Sequence, residues 1–352
     1  MKKTQFLLFF LLFWGITCSV PRHALAIPEP LEPVSFSHDV KLQYGSSLSQ
    51  QTATAIAEAF ALHGAFNRAA RWLTHRRELL VVNHTKPSLG TKNEFLIANH
   101  LYRFYRSTIA TSETIDGSFI TVEVTIKPIP KFKKQLLAVI EPSSSTRIFE
   151  AVFDAERGLL EDFSSTMFND KQQTYLLNRN RETKRYYDRI ASQLRALKAY
   201  RKLVPQFEKG LWDNPKKMLA KVNALLKKAP EEAVLLHAKG SALFQLKDNI
   251  GAISYYNEAL ERSPNLVVAL HDRGTAYLRT NLPHMALVDY DQAIRLSPKN
   301  PHLYISHGAA DLVQGDFETM CSQYHTACTL GMCDELHWAL SRKLCKKLPA
   351  QN

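Results

Sequence analysis

The residues of this 352-residue chain best suited to chemistry are a cluster of cysteines, two spaced histidines and one serine-rich turn. Cys321, Cys328, Cys333 and Cys345 all fall in the last 32 residues; the fifth cysteine is Cys18. Thiols at that density either oxidise in pairs or bind metal. The spacing contains no Cys-x-x-Cys pair and no Cys-x-x-Cys-His motif, which favours disulfides over zinc or haem. Cys321 and Cys328 are seven apart and share one face of a helix. Leu330-Gly331 reads as its stop, and residues 334–343 as an antiparallel return. That geometry favours Cys328–Cys333 with Cys321–Cys345, one of three possible pairings. His237 and His271 lie 34 residues apart, and stacked helices would hold them about 10 Å from one another, too far for one metal. Residues 45–49 (GSSLS) enter a helix, where serine serves as an N-cap. There is no Gly-x-Ser-x-Gly elbow, His-Glu-x-x-His pair, phosphate loop or dinucleotide fingerprint. No catalytic residue, metal site or cofactor is expected.

The elements that carry these residues repeat. Pro230, Pro264 and Pro298 stand 34 residues apart, and so do Gly240, Gly274 and Gly308. Tyr256, Tyr290 and Tyr324 keep the same step, as do Ala259, Ala293 and Ala327. A 34-residue period marks an array of helix–turn–helix units. Small residues are needed where two helices cross closely, an aromatic fills the space beside them, and proline ends the second helix. With Ala252, Tyr277, Ala286 and Tyr304 also in register, residues 231–345 closely resemble the tetratricopeptide (TPR) repeat family. The third unit drifts: Met320 replaces an alanine and Asp311 an apolar residue, as expected of a capping repeat. Residues 211–230 read as a degenerate half repeat, with Met218, Val222 and Leu225 at helical spacing.

The resemblance implies a concave groove lined by the first helix of each repeat. Carried over, its positions are Val234, His237, Ser241 and Gln245, then Val268, His271, Thr275 and Arg279, then His302 and Ile305. They are expected to face solvent or a protein or peptide partner. Family members that clamp a peptide C-terminus use Lys and Asn where this chain has His237 and Ser241, then His271 and Thr275. Recognition of chaperone tails is therefore not expected.

Residues 1–26 read as a secretory signal: Lys2 and Lys3, an apolar run over 6–14, then Ala24-Leu25-Ala26. The expected compartment is the periplasm, with an uncleaved N-terminal anchor as the alternative. Without those residues the formal charge falls from +12 to +9, because Lys2, Lys3 and Arg22 are removed with no acid. Export sets nucleic acid aside and leaves acidic proteins, anionic lipid or cell-wall polymer as partners for that charge.

Residues 35–165 read as an α+β module: a strand over 34–42, a helix over 49–80, and strands at 101–110, 119–126 and 136–140. Asp116-Gly117 marks a hairpin turn. Tyr44-Gly45-Ser46-Ser47-Leu48, residues 102–109 and residues 115–122 resemble the front domain of flagellar assembly protein T and of LPP20-type envelope lipoproteins. That resemblance covers about 35–128 and implies contacts in envelope or flagellar assembly. Residues 170–204 read as a connecting helix, with Tyr187, Ile190, Leu194 and Leu197 as a seam and ten Lys/Arg against three Asp/Glu. Its expected state is a solvated link between two domains.

The expected protein is thus an α+β module followed by an all-α TPR solenoid with a Cys-rich capping helix. Its expected function is non-catalytic adaptor or assembly factor of the cell envelope. The alternative is a structural envelope component whose front module contacts peptidoglycan or anionic lipid while the repeats self-associate.

Overall fold

A computed structural model describes residues 34–45, 48–74, 105–113, 119–128, 144–167, 181–208 and 211–345. The segment read as a secretory signal, the turn expected at Asp116-Gly117 and the strand expected at 136–140 lie outside these residues. Strands β1 (Phe36–Gln43), β2 (Tyr105–Glu113) and β3 (Phe119–Pro128) form an antiparallel sheet in the order β1-β3-β2. The central strand alternates cleanly. Ile120, Val122, Val124 and Ile126 are buried, while Glu123 and Lys127 point to water. Helix α1 (Gln50–Thr74) covers that apolar face with Ala53, Ile56, Ala57, Phe66 and Ala70. Alanines bring the helix near the sheet, and Gly64 makes the closest approach possible: a Cβ there would lie 1.8 Å from His38 Cδ2. Ser49 does cap the helix, its Oγ accepting from the Thr52 N–H at 3.2 Å.

A second long helix, α2 (Ser144–Met167), has no counterpart among the sequence expectations. Phe153, Leu160 and Phe163 join the sheet and α1, whereas Ile148, Phe149 and Val152 join the repeats. Helix α3 (Arg181–Arg201) divides in the same way: Tyr187, Ile190 and Leu194 on one side, Leu197 and Tyr200 on the other. The seam expected in the connector exists, but its apolar face is buried in two cores, which corrects the reading as a solvated link. Lys198 and Arg201, counted among its solvated charges, bond Glu58 and Glu156 instead. Glu156 on α2 also meets His63 Nε2 on α1 at 3.1 Å, so one carboxylate ties three helices together. Burial alone would raise that carboxyl; Arg201 and His63 reverse the effect and hold it below its ordinary value.

A short 3-10 turn (Val204–Gln206) and a two-stranded ribbon, β4 (Phe207–Glu208) and β5 (Leu211–Trp212), lead into α4 (Pro215–Leu226). Asn214 caps α4 by accepting from the Lys217 N–H at 2.9 Å. Three helical hairpins follow: α5 (Ala233–Gln245) with α6 (Asn249–Arg262), α7 (Val267–Arg279) with α8 (Pro283–Leu296), and α9 (Pro301–Gln314) with α10 (Phe317–Thr329). At each crossing a glycine receives a tyrosine ring. A Cβ on Gly240, Gly274 or Gly308 would sit 2.6, 2.6 or 2.5 Å from Tyr256, Tyr290 or Tyr324. Helix α11 (Asp334–Ser341) closes the array. Disulfides join Cys321 to Cys345 and Cys328 to Cys333. Among the described residues, no helix is long and apolar enough to cross a membrane.

Candidate functional site

The groove-facing helices α5, α7 and α9 carry a hydrogen-bonded chain of polar side chains. Asp272 stands in the middle. Its Oδ2 meets His237 Nε2 at 2.8 Å, and its Oδ1 meets His271 Nδ1 at 2.9 Å. His271 Nε2 reaches Ser306 Oγ on the next repeat at 2.9 Å. Ser241 donates to Asp272 Oδ2 at 3.4 Å and accepts from the Tyr256 hydroxyl at 3.3 Å. Thr275 bonds the Tyr290 hydroxyl at 3.1 Å. Burial opposes charge on Asp272, but the bonds from His237 and His271 dominate and hold its carboxyl far below the usual range. His271 is pushed down, first by burial and then by Arg147 and His237, against the upward pull of Asp272; it is neutral at pH 7.

Serine, histidine and aspartate in contact invite comparison with a nucleophilic triad. The geometry differs. A triad needs serine on one imidazole nitrogen and carboxylate on the other. Here Ser241 Oγ, at 3.3 Å, and Asp272 both meet His237 Nε2, and Nδ1 has no hydrogen-bond partner. His237 is 1 % exposed, so no substrate reaches it. The cluster is a structural network between repeats. Among the described residues, no group of three or more His, Cys, Asp or Glu could hold a metal ion.

The expected groove positions divide into two sets. Val234, His237, Ser241 and Val268 are buried, which overturns their expected exposure. The cause is α2: its first turn lies against α5 and α7 and covers the start of the groove. Gln245, His271, Thr275, His302 and Ile305 are partly buried, and Arg279 is exposed. Gln245 also has a structural duty, its Oε1 accepting from the Trp212 N–H at 2.8 Å.

Between α2 and the groove lies a partly open cavity of about 150 Å³. Its polar lining is Arg147, Ser241, Gln245, His271, Asp272 and Thr275; Ile148, Phe244 and Val268 supply apolar wall. Arg147 was invisible to sequence reasoning because it belongs to α2, about 90 residues from the repeats it faces. The one available signal was a basic residue in the first turn of a helix, against the macrodipole. A second, wider cleft of about 640 Å³ runs between α2 and the hairpin ends of the repeats, with Glu150, Asp154 and Glu232 on its walls.

Residues 233–266 match the tetratricopeptide-repeat family model. No curated protein matches the chain. Among solved structures, it is similar to MamA at 19 % identity over 33 % of this chain and 68 % of that one, TM-score 0.32. MamA from Desulfovibrio magneticus RS-1 gives 17 % identity over 44 % and 85 %, TM-score 0.36. YrrB, described as a TPR protein with an unusual peptide-binding site, gives 16 % over 56 % and 91 %, TM-score 0.34. Scores of this size carry no argument about function, and nothing in these comparisons supports the likeness of residues 35–128 to flagellar assembly protein T. The chain is an α+β module joined to an all-α solenoid of helix–turn–helix repeats, one of which, residues 233–266, is a tetratricopeptide repeat by its sequence.

Proposed function

We propose that this protein is a non-catalytic adaptor or assembly factor that holds a protein partner in the groove of its repeats. The observation that carries this reading is the cavity on the groove side, where side chains from two successive repeats converge on accessible space. The binding stretch is narrower than the repeat pattern alone implies. It comprises Gln245, His271, Thr275, Arg279, His302 and Ile305, joined by Arg147 from α2. Stacked repeats commonly present such a face to an extended or helical segment. Two disulfides in the last hairpin and the Lys2-Lys3 leader support a place outside the cytoplasm, in the envelope. A component of envelope or flagellar assembly fits that place as partner.

A photo-crosslinking residue at Arg279, in the native cell, tests the reading, because that position is exposed and its replacement disturbs no buried contact. Capture of one discrete protein, lost when Thr275 is also changed to Val, is the expected result. Self-crosslinks alone would instead favour the structural role, with the front module touching peptidoglycan or anionic lipid.

A further inference from the structure

Arg147 is the unsatisfied member of the groove cavity. It projects from the first turn of α2, where the helix dipole disfavours a cation. Its Nε is sealed from solvent without a hydrogen-bond partner, and no ion pair to it exists among the described residues. Asp272 is the nearest reason to expect an internal counter-charge, yet its two oxygens already serve His271, His237 and Ser241. Ser241 is likewise used, and Thr275 is bonded to Tyr290 and the His271 carbonyl. Burial lowers the guanidinium pKa, against the upward pull of the charges on Asp272 and then on Glu150, one turn along α2. What the guanidinium brings to the cavity is N–H donors and no acceptor. A planar, half-desolvated fork of this kind pairs best with a carboxylate.

We propose that the cavity receives the carboxylate of an Asp or Glu side chain from the bound partner, with Arg147 as its counter-charge. This rests on the adaptor reading above. The volume of about 150 Å³ accommodates one such side chain. The partly buried and exposed positions go on past the cavity to Arg279, His302 and Ile305, so the occupant is a segment that passes through, and the acid is a side chain on it. Specificity follows from desolvation: a Gln in the same place can accept one hydrogen bond through its carbonyl oxygen but leaves the guanidinium charge uncompensated.

The test uses two pools of N-acetylated, C-amidated peptides of varied apolar sequence, one with a single central Glu and the other with Gln. A third pool carries Gln and a free C-terminus. Each is passed over the immobilised protein and the retained peptides are read by mass spectrometry. Expected is roughly tenfold or greater retention of Glu peptides over their Gln counterparts. Arg147→Gln should remove that preference, and Arg147→Lys should restore part of it; thermal melts establish that both variants fold. Equal retention of the first two pools, retention only of the free-terminus pool, or no retention at all overturns the side-chain carboxylate. None of those results decides the adaptor reading, which stands or falls on the Arg279 crosslink.

Discussion

Arg201, Glu156 and His63 show how much one buried carboxylate can organise. Glu156 is 2 % exposed and Arg201 5 % exposed, so neither charge is hydrated. Arg201→Ala should cost about 3–5 kcal/mol in urea unfolding, because it leaves Glu156 charged in a dry site. Replacing both with apolar residues of similar volume should recover much of the loss. The carboxyl pKa is depressed, so the stabilisation is complete above the ordinary carboxylate value near 4.5 and is lost as pH falls through the lower folded value. Glu232 behaves in the opposite sense. Burial raises its pKa to about 7, and Glu156 adds to the effect. The folded state then holds a proton that the unfolded state has released, so stability declines as pH rises from about 4.5 to about 7. Glu232→Gln should flatten that decline, of order 1–3 kcal/mol, in melts taken across the same window. An unchanged slope would mean that water already reaches the carboxylate.

At the scale of elements, the last hairpin depends on its bridges. Helix α11 has eight residues and buries little besides Ala339. It is too short to persist alone. The Cys321–Cys345 link closes a loop of 24 residues, worth about 3 kcal/mol by chain-entropy reasoning. Cys321→Ser with Cys345→Ser should expose residues 330–345 to limited proteolysis while leaving α5 to α8 protected. The repeat hairpins were legible in the chain because one local rule, glycine against tyrosine, recurs at a fixed step: Gly240 with Tyr256, Gly274 with Tyr290, Gly308 with Tyr324. Helix α2 was not legible. Its apolar residues lie on two faces, Phe153 and Phe163 toward the sheet and Ile148 and Val152 toward the repeats, which blurs the single stripe that periodicity detects. The burial of His237 and Val234 escaped for the same cause, since the covering element comes from remote sequence.

Across the whole molecule, α2 and α3 belong to both hydrophobic cores. Front module and repeats are therefore not independent beads on a string. Trp72 packs on the front core and Trp212 within the repeat core, giving a reporter on each side. Their fluorescence changes should coincide with the loss of helical circular dichroism in one denaturant transition, with the last hairpin alone melting earlier when reduced. Two separated midpoints for the tryptophans would show that the shared helices do not couple the cores.

The array is closed differently at its two ends: by α4 together with α2 and α3 before α5, and by a covalent clasp after α10. Only the middle is modular. A duplicated 34-residue unit inserted at Pro298, beyond the two repeats that α2 touches, would meet neighbours of its own kind on both sides. Such an insertion would lengthen the protein by a repeat spacing of about 10 Å and leave both closures untouched. The chain is in this sense an extensible gauge between two fixed jaws, whose reach can be reset in whole steps without redesigning either end.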